Sequence, residues 1–346
     1  MRRKKIGIWA AALAAAMIVG CGGNSAYQQA KTDLSQGVYQ EALQGFETSI
    51  GEGDHVAESY RGAGIAQLKL GNYEEAIQYL TQAVKQKGVD RGFQRDVLSY
   101  KATAQYKDGQ YEQAMDTCEN LLNISDQADS YYLAGRVALS VDDYENAQEY
   151  FDQAVNRKDD EKMALQIYEA YLEQDMEADG TKYLERVLSA EASNAKDHCE
   201  RGRIYYYMED YENAQKELET AIDRNYSEAM LVMGQVYLAQ DDVDSARSMF
   251  QEYMEKEEDH MADGYNGLVL CDIEEQDYSA ALENVKRGLE TAQGDQMQDL
   301  LFNEVVVYEK SLDFETAQTK AEEYLQLFPD DEKMQREKEF LDTRVS

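Results

Sequence analysis

Apolar positions in this chain recur with a helical period, in short segments separated by turn residues. Residues 70–83, read LGNYEEAIQYLTQA, show one such boundary. Gly71–Asn72 closes the segment before it, because glycine adopts a positive φ at little cost and asparagine tolerates one. After the turn, Ala76, Leu80 and Ala83 recur at i, i+4 and i+7, which places them on one helical face. Ala76 is small enough for a second helix to approach closely, and Leu80 fills the layer beside it. The stretch therefore predicts half of a helix–turn–helix unit.

The same pattern runs down the chain. Small residues stand at Ala42, Ala76, Ala114, Ala147, Gly180, Ala214, Ala246, Ala281 and Ala317, 32 to 38 residues apart. Three positions before each stand Tyr39, Tyr73, Tyr111, Tyr144, Glu177, Tyr211, Val243, Tyr278 and Phe314. Four positions after stand Phe46, Leu80, Cys118, Phe151, Leu184, Leu218, Phe250, Val285 and Ala321. Twelve positions before, mostly small residues recur: Ala30, Gly64, Ala102, Gly135, Tyr168, Gly202, Gly234, Val269 and Val305. One helix pair cannot bury its apolar face alone, whereas stacked pairs bury a continuous core. The recurring tyrosine is expected to pack on its helix pair with its hydroxyl in water.

A period near 34 with small residues at these offsets resembles the tetratricopeptide repeat. The resemblance spans residues 23–328 in nine copies, with residues 329–346 as a C-terminal capping helix in which Met334 and Leu341 are spaced for packing. It implies an all-α fold, a right-handed superhelical solenoid whose first helices line a concave, partner-binding face. Reading the inward positions of those helices gives Tyr27, Arg61, Lys69, Tyr100, Tyr106, Lys107, Tyr132, Arg136, Arg203, Tyr206 and Tyr207. Tyrosine and arginine are frequent binding hot spots. The family's carboxylate-clamp pattern is not carried over, because Tyr27, Lys31, Gly62, Asp96 and Tyr100 occupy its positions. In the fifth copy, Gly180 replaces alanine inside a helix, at a cost of about 0.5–1 kcal/mol, and Tyr168 stands where a small residue is expected, which predicts loosening or a changed stacking angle there.

The N-terminus has a different pattern. Arg2, Arg3, Lys4 and Lys5 precede an apolar run from Ile6 to Val19, too short for a membrane span of about 20 residues. A basic start and a short apolar run describe a signal peptide over residues 1–20. Ile18-Val19-Gly20-Cys21 resembles a bacterial lipobox. That resemblance implies acylation of Cys21, a tether over residues 21–26, and attachment to the outer face of a bacterial cytoplasmic membrane.

Composition narrows the function. The formal charge is −35, and a chain cleaved before Cys21 keeps 30 basic against 69 acidic residues, or −39. Such a surface repels nucleic acid. One proline in 346 residues agrees with a helical chain. Against this acidity, segment 85–107 holds Lys85, Lys87, Arg91, Arg95, Lys101 and Lys107 with only Asp90 and Asp96, a local excess of four positive charges. It reads either as a site for an acidic peptide or anionic wall polymer, or as internal charge balance.

No catalytic constellation stands out. Cys118, Cys199 and Cys271 are far apart, and an odd number cannot all pair. Cys118 falls where other copies carry Leu or Phe and is expected in the core. Residues 175–180 resemble the front of a calcium loop, but Arg186 stands where a bidentate Glu is required. No metal, cofactor or enzymatic activity is expected. The expectation is a lipid-anchored scaffold or adaptor that binds a protein or peptide in the concave groove during envelope assembly. The alternative occupant is a cell-wall glycan or anionic polymer, and the array could also form homo-oligomers.

Overall fold

The computed structural model describes residues 25–257, 260–292, 294–329 and 331–345. The signal segment 1–20, Cys21 and most of the tether lie outside the described residues. Those residues form nineteen helices and no strand. Nine antiparallel pairs follow one another: α1 (Ala26–Ser35) with α2 (Tyr39–Glu52), α3 (Val56–Lys69) with α4 (Tyr73–Val84), and α5 (Arg91–Lys107) with α6 (Tyr111–Leu122). Then come α7 (Ala128–Ser140) with α8 (Tyr144–Arg157), α9 (Glu161–Leu172) with α10 (Glu177–Leu188), and α11 (Ala195–Tyr207) with α12 (Tyr211–Asp223). The last pairs are α13 (Glu228–Ala239) with α14 (Val243–Lys256), α15 (Met261–Glu274) with α16 (Tyr278–Leu289), and α17 (Asp295–Lys310) with α18 (Phe314–Leu327), followed by α19 (Glu332–Val345).

Each pair turns on one left-handed residue: Gly37, Gly71, Gly109, Asp142, Asp175, Glu209, Asp241, Gln276 and Leu312, with φ between 56° and 76°. Glycine occupies only the first three of these elbows. At five of the six later ones, the residue after the turn supplies an aspartate N-cap, and the fifth unit has Met176 there instead. Asp143, Asp210, Asp242, Asp277 and Asp313 each accept the backbone N–H three residues on, at 3.0–3.3 Å. This satisfies one of the orphan donors at each helix start.

The offsets seen in the sequence are physical contacts. Every alanine of the anchor series is completely buried. Twelve residues before an anchor and four after it, the two side chains meet across the pair. A Cβ added to Gly64 would lie 2.6 Å from Leu80, and one added to Gly202 would lie 2.5 Å from Leu218. Gly135 faces Phe151 and Gly234 faces Phe250 in the same way. Only glycine lets these helices approach so closely around a large side chain. Cys118, Cys199 and Cys271 are free and buried, and burial pushes each thiol up to about 12. They act as small apolar groups.

The fifth unit is built differently. Within it, α9 and α10 pack as closely as other pairs, but their backbones approach α8 and α11 far less often than neighbouring units approach one another elsewhere. Rings fill the space: Tyr168, Tyr171 and Tyr183 are each under 5% exposed. Tyr171 lies 5.3 Å from Phe151 and 6.1 Å from Tyr183, centroid to centroid. The Tyr183 hydroxyl donates to Asp152 at 3.1 Å, and that of Tyr168 donates to Glu177 at 3.2 Å. Gly180 accommodates the large residue opposite it, since its Cβ would stand 3.0 Å from Tyr168 Cα.

Candidate concave groove

The first helices of successive units, α5, α7, α9, α11, α13 and α15, lie side by side, and hollows open at their joints. The hollow between α5 and α7, bounded by the end of α9, has a volume of about 460 Å³ and is lined by Tyr106, Lys107, Tyr132, Arg136 and Glu173 among others. The next, about 420 Å³, lies between α9 and α11 and includes Glu161, Glu169 and Arg203. A third, about 390 Å³, shares Arg203 and reaches Glu228, Glu257 and His260. A fourth, about 460 Å³, is lined by Tyr206, Tyr207, Leu238, Leu270 and Glu274.

The structure thus brings together most of the residues expected to face inward. Arg136 lies 4.9 Å from the Tyr106 ring, donates to the Tyr106 hydroxyl at 3.2 Å and pairs with Glu173 at 2.9 Å. Burial disfavours its charge, but Tyr132, Tyr106 and Glu173 hold the guanidinium above its ordinary value. Burial pushes the Tyr132 hydroxyl up to about 12, and it donates to the Gln166 carbonyl at 3.3 Å. Tyr132 therefore joins two units as well as lining the hollow. Tyr206 and Tyr207 pack edge to face at 5.7 Å. Arg61 and Tyr100 form a separate cluster, 5.7 Å apart, with Asp96 paired to Arg61. Tyr27 stacks on His55 at 4.3 Å near the first unit. Lys69 ends α3 half-buried, and the Lys107 ammonium lies 5.8 Å from the Tyr73 ring.

The acidic partners were not anticipated. Arg61 pairs with Asp96, Arg136 with Glu173 and Arg203 with Glu161 at 3.0 Å. Burial raises the Glu161 carboxyl, and Arg203 draws it partly back. The guanidiniums of the groove are thus neutralised by the chain itself. The signal lies in the spacing: an opposite charge stands 35 residues after Arg61, on the next first helix, and 37 after Arg136, just past the end of one. Segment 85–107 divides similarly. Arg91 donates to the carbonyls of Ile124 and Asn123, closing α6, whereas burial and then Lys85 lower the Lys101 ammonium.

Sequence profiles described as tetratricopeptide repeat match residues 15–87, 62–131, 128–161 and 199–259. The chain belongs to the tetratricopeptide repeat family. No curated protein matches it significantly. Among solved structures, a tetratricopeptide repeat protein from Parabacteroides merdae is 15% identical, with a TM-score of 0.42 over 66% of this chain and 91% of that one. Yeast Tom70 is 13% identical, with a TM-score of 0.38 over 92% and 89%. The TPR2AB domain of yeast Sti1, solved as a complex with pHSP90, is 17% identical, with a TM-score of 0.30 over 79% and 97%. The tetratricopeptide fold of this chain is consistent with a protein-binding role. Among the described residues, no helix is long and apolar enough to cross a membrane.

Proposed function

We propose that the protein is a scaffold that binds an extended protein or peptide segment along its concave groove. We propose further that acylated Cys21 holds it at the outer face of a bacterial membrane, where it serves envelope assembly. The observation that carries the reading is the run of hollows from α5 to α15. Each has the size of a few side chains and offers a ring or aliphatic wall beside a charged group. Such a run suits a partner that places successive residues in successive sites. Because Arg136 and Arg203 already hold carboxylates, an acidic side chain binds only by replacing Glu173 or Glu161. This favours a partner of mixed composition over a polyanion.

Site-specific photo-crosslinking in membrane preparations tests the reading. A photoreactive residue at Leu133, in the first hollow, should give a discrete adduct, while one at Glu149 on the outer helix α8 should not. Joint replacement of Tyr100, Tyr132 and Arg136 by alanine should abolish the adduct. Equal labelling from both positions, or labelling that survives the triple replacement, would contradict the assignment. Cys21→Ala should release the protein from membranes without changing its helicity.

A further inference from the structure

The nine elbows share a backbone geometry but not their surroundings. Eight of the left-handed residues are exposed, whereas Gly71 is half-covered. Pro329, from the far end of the array, lies against it: a Cβ built on Gly71 would stand 3.5 Å from the Pro329 carbonyl oxygen. Gly109 has nearly the same φ, 72° against 74°, and a Cβ there meets nothing within 4 Å. The neighbouring Tyr73 buries its hydroxyl oxygen, contrary to the expectation of a wet hydroxyl, with its ring beside Lys107 and the second unit's core.

The segment that reaches Gly71 is held in shape by its own bonds. Gln335 donates to the Pro329 carbonyl at 2.7 Å. Asp331 accepts from the Tyr324 hydroxyl at 2.5 Å, from Gln298 at 2.8 Å and from the Met334 N–H at 3.0 Å. Met334 and Leu341 are buried against Val305, Ala317 and Tyr324, fastening α19 to the ninth unit. The charge of Lys333, at the start of α19, is felt in the fifth unit. Burial and Glu173 raise the Glu169 carboxyl in α9, and Lys333 pulls it back. Glu169 and Glu173 line the second and first hollows.

We propose that the turn at Pro329, held in shape by the start of α19, is a latch that closes one superhelical turn on the second unit. The contact joins residues 258 positions apart through one carbonyl and one glycine, so it can open while both ends of the array stay folded.

Hydrogen exchange on the full-length protein, without a partner, tests the closure. The first amides of a helix have no intrahelical acceptor and exchange readily when exposed. Residues 73–75 of α4 should exchange at least about fivefold more slowly than residues 111–113 of α6. Lys333→Glu should remove that difference by setting like charges together, and adding Glu169→Lys should restore it. Gly71→Phe should also remove it, whereas Gly109→Phe should leave residues 73–75 unchanged. Equal exchange in the two segments, or protection that survives both Lys333→Glu and Gly71→Phe, would overturn the latch. Failure here leaves the groove crosslinks unaffected, so the two readings fail separately.

Discussion

The joint between α2 and α3 and the joint between α8 and α9 solve one problem in two ways. At the first, Gly62 lets the helix backbone settle against Phe46: an added Cβ would fall 2.4 Å from the ring. At the second, the backbones stand farther apart, and Phe151, Tyr171 and Tyr183 fill the space. The first joint is fixed by backbone proximity and tolerates no added volume. The second depends on a few large side chains and tolerates no loss of volume. A repeat array can therefore keep its period while changing the mechanics of one joint, and here the change falls in the middle of the groove.

The two joints should break under opposite substitutions. Tyr171→Ala, at a site 2% exposed, should cost about 3–5 kcal/mol and split denaturant unfolding into two transitions as the halves uncouple. A loss under about 1 kcal/mol, with a single transition, would mean the rings are not what couples the units. Gly62→Leu should cost about 1–3 kcal/mol through overpacking against Phe46. A neutral result would mean that α2 and α3 can separate freely, erasing the contrast.

Smaller effects are expected outside the joints. Leu312 holds φ of 64° with its side chain 74% exposed. Leu312→Gly should stabilise the ninth unit by about 0.5–1 kcal/mol, since a left-handed leucine is strained and little packing is lost. An unchanged melting temperature would show the strain to be absorbed elsewhere. The smallest effect concerns the cap. Burial, then the charge of Glu309 and a hydrogen bond with it, raises the Glu337 carboxyl above its ordinary value. The folded state thus holds this proton more tightly than the unfolded chain. The cap should be most stable below the raised value and lose stability as pH rises through it. Glu337→Gln should flatten that dependence in thermal melts across pH 4 to 7, and an unchanged profile would assign it to other groups.

Much of the fold is legible along the chain, because each repeat carries its own contacts. The Gly64–Leu80 and Gly202–Leu218 approaches lie within one unit, so two residues at a fixed spacing report them. Tyr168 in place of a small residue and Gly180 in place of alanine likewise point to a changed fifth unit. The groove is only partly legible. Tyr106, Tyr132 and Arg136 fall together as expected, but Arg136 is claimed by Glu173, a residue of the next unit. The approach of Pro329 to Gly71 has no local signature. It depends on the rotation accumulated over seven units, to which each joint adds a small angle.

Amide exchange across the fifth unit tests most directly whether one array contains two kinds of joint. The amides of residues 168–184 should open by sub-global unfolding and exchange faster than those of α3 and α4, with a step in protection at each flanking joint. Protection in residues 168–184 equal to that of the second unit would contradict the account, because the wider joints would then couple the units as tightly as the close-packed ones.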